Sequence, residues 1–316
     1  MKLATTTGDF VGNYDTGSYG TGYLNDDKAI LDLLYESGFR YVDLSMYSFT
    51  MDCDYMQDDW RDKIAELKAY AESKGMTFVQ AHSQGGNALD AAQYDALVAY
   101  TLRQIEICGE LGIENIVVHP GCKAGYTKQQ WFEENKIFFD ALLVKAEECG
   151  VNVLCENSTS KNLGSVYWAN SGADMREFIE YVNNPYFHAC WDTGHGNCEG
   201  DQYDDILALG NELYAIHYND NMGYADTHII PYFGTLDNVR ILRALEQIGY
   251  SGYFTFECDG ADRMNNNWHG ANDLEILSEK TISQLSDDRL GQEKLMYQIG
   301  EKLLSSYGML DLSDDN

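Results

Sequence analysis

The feature that most restricts this chain is an alternation repeated eight times along its length. Short runs rich in β-branched, aromatic and small apolar residues are each followed by a longer amphipathic run. The short runs, read as strands, are "KLATTTG" (2–8), "RYVDLS" (40–45), "TFVQAH" (77–82), "NIVVH" (115–119), "VNVLCE" (151–156), "FHACWD" (187–192), "LYAIHY" (213–218) and "YFTFEC" (253–258). The spacing of apolar positions predicts helices near 26–37, 58–74, 88–111, 129–149, 173–182, 202–209, 237–248 and 271–305. Gly38, Gly75, Gly112, Gly150 and Gly249 stand where helices should stop before the next strand, the usual place of a C-terminal cap. Strands that alternate with helices argue for a parallel α/β fold. Eight such units in 316 residues, with 3 prolines, no low-complexity linker and no break in composition, predict a (β/α)8 TIM barrel forming a single domain over 1–316. A doubly wound open sheet is the alternative. No GxGxxG follows the first strand, so a dinucleotide-binding form of that sheet has little support.

Composition narrows the function classes. Lys and Arg number 21 against 51 Asp and Glu, a net charge of −30. That balance argues against nucleic acid and anionic membrane as partners, because affinity for both comes largely from cationic side chains. No apolar run reaches the roughly 18–20 residues that a membrane span needs. The opening "MKLATTTGDF" lacks the apolar core of a signal peptide, and the expectation is a cytoplasmic protein. The 8 cysteines form no CxxC pair and are expected to be reduced thiols. Cys108 and Cys149 fall in helical patterns. Cys155 and Cys258 follow strand alternation away from the adjacent Glu156 and Glu257, toward the layer between sheet and helices. The stretch "GDFVGNYDTGSYGTGY" (8–23) is either a cover for the barrel mouth or an irregular connection, and the tail "LDLSDDN" reads as a frayed acidic end.

In a barrel of this kind the reacting groups gather at the C-terminal ends of the strands. Here those ends carry His82, His119, Glu156, Asp192, His217 and Glu257. His195 follows in "DTGH", and Asp226 and His228 follow in "DTH". Of the 7 histidines only His188 and His269 fall outside this set. A histidine or glutamate at one strand end is more often a hydrogen-bonded structural group than a ligand. A whole rim of imidazoles and carboxylates is different: it is the donor set of a divalent metal, Zn or Mn first, with Co, Mg or Fe also admissible. Without a cation the clustered carboxylates would repel one another. Asp43 points into the same interior by strand parity, either to orient a ligand histidine or as a plain buried hydrogen-bonding group.

The segments "CEN", "WDTGH", "IHYND" and "FTFEC", in that order, resemble the xylose-isomerase-like TIM-barrel superfamily, and the resemblance covers nearly the whole chain. That superfamily includes sugar and sugar-phosphate isomerases and epimerases, inosose dehydratases and three-zinc apurinic endonucleases. Resemblance to the epimerase branch implies one divalent metal held by Glu156, Asp192, His217 and Glu257. The two glutamates would then move protons beside a metal-polarised carbonyl, and His195 would contact substrate oxygen. The chain departs from the ketohexose-epimerase pattern where Asn162 stands in place of a second glutamate and Gly223 in place of an arginine. Resemblance to the endonuclease branch implies up to three ions: Glu156 would bridge two, His82 and His119 would complete the first, and His195, Asp226 and His228 would hold a third.

Few cations occupy the expected rim loops: Lys123, Lys128, Lys161 and Arg263. The same loops carry Tyr47, Phe49, Tyr126, Tyr167, Trp168, Tyr224, Tyr232, Phe233 and Trp268, which either stack on sugar rings or simply pack. The favoured expectation is a metal-dependent isomerase or epimerase of a small carbohydrate or polyol, free or phosphorylated, with Glu156, Glu257 and His195 at the reacting centre. The alternatives are a phosphodiesterase of the apurinic-endonuclease type, an inosose-type dehydratase, and a carbohydrate-binding barrel with a structural metal. The resemblance also implies a homo-oligomer.

Overall fold

The computed structural model describes residues 1–9, 26–47, 49, 53–258, 282–311 and 313. Eight strands close into a barrel in chain order: β1 (Lys2–Thr6), β2 (Tyr41–Ser45), β3 (Thr77–His82), β4 (Asn115–Val118), β5 (Asn152–Glu156), β6 (Phe187–Asp192), β7 (Leu213–Tyr218) and β8 (Tyr253–Phe256). Every neighbouring pair is parallel, including β8 with β1. The helices are α1 (Asp27–Ser37), α2 (Trp60–Ser73), α3 (Tyr94–Leu111), α4 (Lys128–Cys149), α5 (Ser160–Leu163), α6 (Gly172–Val182), α7 (Thr193–Glu199), α8 (Tyr203–Leu209), α9 (Asn238–Ile248) and α10 (Ile282–Ser306). Among the described residues no helix is long and apolar enough to cross a membrane.

Strand alternation sorts the side chains into two cores. Outward residues pack against the helices in one large apolar layer, where Trp131, Phe138, Phe139, Phe178 and Phe187 are fully buried and in mutual contact. Each such side chain contributes roughly 1.5–3 kcal/mol of apolar burial. Inside the barrel a small separate cluster of Val117, Leu154, Cys190 and Ala215 fills part of the interior. The register pairs Val117 with Leu154 and Cys190 with Ala215, so these residues share one face. The next inward positions on the same strands are His119, Glu156, Asp192 and His217, which lie above this apolar floor. Cys155 and Cys258 lie in the outer layer with Cys108, and all eight cysteines are free.

The boundaries follow local hydrogen bonding. Thr127 and Gln130 form a capping box at the start of α4, and Gly112 and Gly150 end α3 and α4 in left-handed backbone (φ 80° and 68°). The helix expected from 88 begins at Tyr94, because the side chains of Asn87 and Asp90 accept the N–H groups of Leu89 and Ala92 and hold a turn. β1 ends at Thr6, two residues earlier than expected, and passes into a short 3₁₀ turn over Thr7–Asp9. Two short helices, α5 and α7, were not expected. α7 starts directly on β6, with Asp192 as its N-cap. Most of the Gly- and Tyr-rich stretch 8–23, the first part of the helix expected over 271–305, and Arg263, Trp268 and His269 lie outside the described residues.

Candidate metal centre

Glu156, at the end of β5, is 1% exposed and lies at the middle of the rim. Its Oε1 is 2.7 Å from His217 Nδ1, and its Oε2 is 2.6 Å from His119 Nε2 and 3.4 Å from His82 Nε2. The Nε2 atoms of His82 and His119 are only 3.1 Å apart. His82 Nδ1 lies 2.9 Å from the Ser83 carbonyl, which can only accept a hydrogen, so Nδ1 donates there and Nε2 is the nitrogen that faces the site. His82, His119 and Glu156 therefore converge as one donor set.

A second set shares Glu156. The ligand atoms of Glu156, Asp192, His217 and Glu257 lie within 4.8 Å of one another. Glu257 Oε2 is 3.1 Å from His217 Nδ1, and the Glu257 side chain is 22% exposed against 1% for His217. A third set consists of His195, Asp226 and His228. Asp226 Oδ2 lies 3.0 Å from His195 Nε2, and Asp226 Oδ1 lies 3.2 Å from His228 Nε2. His228 adopts left-handed backbone at φ 46°, a conformation that costs a non-glycine residue on the order of 1 kcal/mol or more and clusters at functional sites. All nine rim residues singled out in the sequence thus fall into three adjoining groups. His188 stays outside, 2.6 Å from Glu212 and stacked on Tyr214.

The electrostatics are those of a site built around positive charge. Burial alone would raise the Glu257 carboxyl, but His217 outweighs it and holds the group down to about 2. Glu156 and Asp226 are likewise held well below the usual carboxylate range, against burial, by their imidazole neighbours. Burial pushes Asp192 up to about 6. Burial would lower His195, yet Asp192 and Asp226 raise it to about 10. Glu156 Oε2 and Asp226 Oδ1 face imidazole nitrogens closely but receive no well-formed hydrogen bond. These oxygens and imidazole nitrogens are of the donor types that could hold a divalent cation.

This predicts a pH effect whose sign depends on metal. In the metal-free protein the raised His195 contributes stability that is full below about 6.5 and is lost as pH rises through about 10. A cation must displace the histidine protons, so with Zn or Mn present stability should instead rise over the lower part of that range. Thermal midpoints measured against pH with chelator and with metal should cross; parallel profiles would count against a cation at these histidines.

Sequence reasoning missed the amides that hold the ligands in place. Asn157 brackets the Asp192 backbone, donating to its carbonyl at 2.9 Å and accepting its N–H at 2.6 Å. Asn219 donates to Asp192 Oδ2 at 2.6 Å, and the His195 N–H caps Asp192 Oδ1 at 2.6 Å. Asn162, singled out in the sequence only as a departure from the epimerase pattern, donates to Asp226 Oδ2 at 2.8 Å. Asp220 accepts the backbone N–H groups of Asn221, Tyr232, Gly234 and Leu236 and so shapes the loop that carries Asp226 and His228. The available signal was adjacency: Asn157 follows Glu156, and Asn219 lies two residues after His217.

The rim aromatics divide. Tyr224, Tyr232, Phe233 and Tyr47 are 66%, 60%, 46% and 38% exposed, whereas Phe49 and Tyr167 are buried and pack into the core. Lys128 is engaged by Asp174 and Glu177, which leaves still less cationic surface at the rim.

A family profile described as "Xylose isomerase-like TIM barrel" matches residues 31–278. Among curated relatives, an "L-ribulose 3-epimerase" of a Methylomonas species is 27% identical over 59% of this chain and 65% of its own length. A "Probable endonuclease 4" of Citrifermentans bemidjiense is 27% identical over 40% of this chain and 48% of its own. The chain spans about half the length of the first curated relatives it matches. Among solved structures, a D-psicose 3-epimerase from Clostridium cellulolyticum H10, determined with D-tagatose, superposes with a TM-score of 0.70 at 19% identity, covering 96% of this chain and 99% of that one.

Proposed function

The chain belongs to the xylose isomerase-like TIM barrel family, and on that premise we propose that it is a divalent-metal-dependent isomerase or epimerase of a small sugar or polyol. The observation that carries this reading is the pair of glutamates at the ends of β5 and β8. They approach His217 Nδ1 to 2.7 and 3.1 Å, at the one end of the barrel where imidazoles and carboxylates converge. Glu156, Asp192, His217 and Glu257 would hold a divalent ion, Zn or Mn by donor type, which when bound would supply positive charge to polarise a carbonyl and stabilise negative charge on its oxygen.

The protein's own part is proton movement and orientation. Glu257, the most open of the rim carboxylates, takes a proton from the carbon beside the carbonyl. Glu156, which meets the same His217 nitrogen, returns one to the opposite face. His195 is held between Asp192 Oδ1, 3.5 Å from its Nδ1, and Asp226 Oδ2, 3.0 Å from its Nε2, and meets a substrate hydroxyl once the Asp226 contact is given up. The exposed tyrosines and Phe233 offer apolar faces to a sugar ring.

The test is solvent exchange. A panel of ketoses and polyols incubated in deuterated buffer with Mn or Zn should show deuterium entering the carbon beside the carbonyl, together with the epimeric or isomeric product. Neither exchange nor product from any member of the panel would defeat the proposal. A second reading, a metal-dependent phosphodiesterase, is favoured by the His82–His119 pair and the His195–Asp226–His228 group, which a one-ion epimerase does not need. Cleavage of an abasic-site duplex at moderate salt would support it. The engagement of Lys128 by acidic residues weighs against it, since backbone phosphates need free cations.

A further inference from the structure

Tyr47 fills a space that a side chain on another strand end would otherwise take. It stands two residues past β2, and the phenol end of its ring lies over the α-carbon of Gly85, three residues past β3. A Cβ at position 85 would overlap Tyr47 Cζ and lie 2.6 and 2.7 Å from Cε1 and Cε2. Carbon atoms pack at about 3.5–4.0 Å, so even a methyl group there would have to push the ring aside by on the order of 1 Å. Gly85 is not among the glycines with left-handed backbone, so its own conformation does not call for glycine. The close approach of the ring does.

Hydrogen bonds between the two loops fix where the ring stands. The Gly85 N–H donates to the Tyr47 carbonyl at 3.1 Å, and the Met46 N–H donates to the His82 carbonyl at 2.8 Å. Gln104, fully buried on α3, donates to the Met46 carbonyl at 3.1 Å and accepts the Gln84 N–H at 2.8 Å. The Tyr47 ring meets those of His82 and His119 steeply, at 68° each, with centroids 5.4 and 6.4 Å away. Both imidazoles approach Glu156 Oε2, so Tyr47 stands one side chain away from the proposed reacting centre and walls the rim beside β2 and β3. Its side chain stays exposed, and its hydroxyl has no hydrogen-bond partner among the described residues. A phenol keeps its hydrogen at neutral pH and can donate it. A fixed aromatic ring with an open donor suits a polyhydroxylated ligand.

We propose that Tyr47 is a specificity-determining residue whose phenol donates to a hydroxyl of the sugar, and that Gly85 is the positioning residue that lets it stand there. The proposal rests on the sugar reading above and on no particular metal.

Calorimetry on zinc-loaded protein with D-fructose, D-tagatose, L-ribulose and xylitol tests it. For whichever of these binds, Tyr47→Phe should weaken affinity by about 2–10-fold, the loss of one neutral hydrogen bond. Tyr47→Ala should weaken it further. Gly85→Ala should weaken affinity and lower the thermal midpoint when Tyr47 is present. It should do neither in the Tyr47→Ala background, where no ring is left to displace. Equal effects of Gly85→Ala in both backgrounds overturn the role of Gly85. Wild-type affinity in Tyr47→Phe and Tyr47→Ala overturns the role of Tyr47, whether or not Gly85→Ala folds, and leaves the sugar reading intact. A wild type that binds none of the four compounds removes the sugar reading and the proposal together.

Discussion

Glu257→Gln should reduce deuterium exchange and turnover by about 10²–10⁴-fold at saturating metal while the protein still binds its sugar. The glutamine keeps the shape of the side chain and one oxygen that can face the cation, but it cannot accept a proton from carbon. Glu257 is the group to change because its side chain is 22% exposed, whereas Glu156 is enclosed by His82, His119 and His217. Substituting Glu156 would strip a shared oxygen donor from two ligand sets at once, so loss of metal and loss of chemistry could not be separated. Calorimetric sugar affinity within a few-fold of wild type, together with lost exchange, identifies a group that acts on the reacting carbon. Exchange retained within about tenfold would move the base elsewhere on the rim. A wild type that binds sugar without turnover, and a Glu257→Gln variant that behaves identically, would indicate a binding protein.

The barrel was legible because its signal is spread over the chain. Eight strands follow from the repeated alternation of strand and helix, and their position at the strand ends gathered His82, Glu156, Asp192 and His217 on one rim. Boundaries that depend on side-chain to backbone hydrogen bonds were less legible. The late start of α3 is set by Asn87 and Asp90, and nothing in the apolar spacing reports such a turn. The three-way grouping of ligands was hidden for another reason. It depends on which oxygen of Glu156 meets which imidazole, a matter of barrel stagger and rotamer. Asn157 and Asn219 were invisible as functional residues because an uncharged amide inside a strand or loop has no pattern of its own. They become meaningful only once Asp192 is placed beside them.

Asp226→Asn should remove the cation-binding capacity of one group and leave the others. Asp226 is the only carboxylate in the set with His195 and His228, and both of its oxygens are directed at their Nε2 atoms. An amide there loses the charge and turns an NH2 toward one imidazole or toward Asn162, which already donates to this side chain. Breaking a buried, paired charge costs about 3–5 kcal/mol, and a loss of that size in cation binding at this group would be roughly 10²–10⁴-fold in affinity. Elemental analysis of protein purified with Zn or Mn should therefore show a lower metal content than wild type. The epimerase reading then makes a second demand. Glu156, His217 and Glu257 keep all their contacts with one another, so deuterium exchange should stay within about tenfold of wild type. A hydrolytic enzyme needs clustered ions to generate and direct its nucleophile, and the same substitution would abolish phosphodiester cleavage. Loss of exchange in step with loss of metal would place the third group inside the sugar reaction; loss of cleavage from a protein that never exchanged deuterium would give the barrel to the second reading.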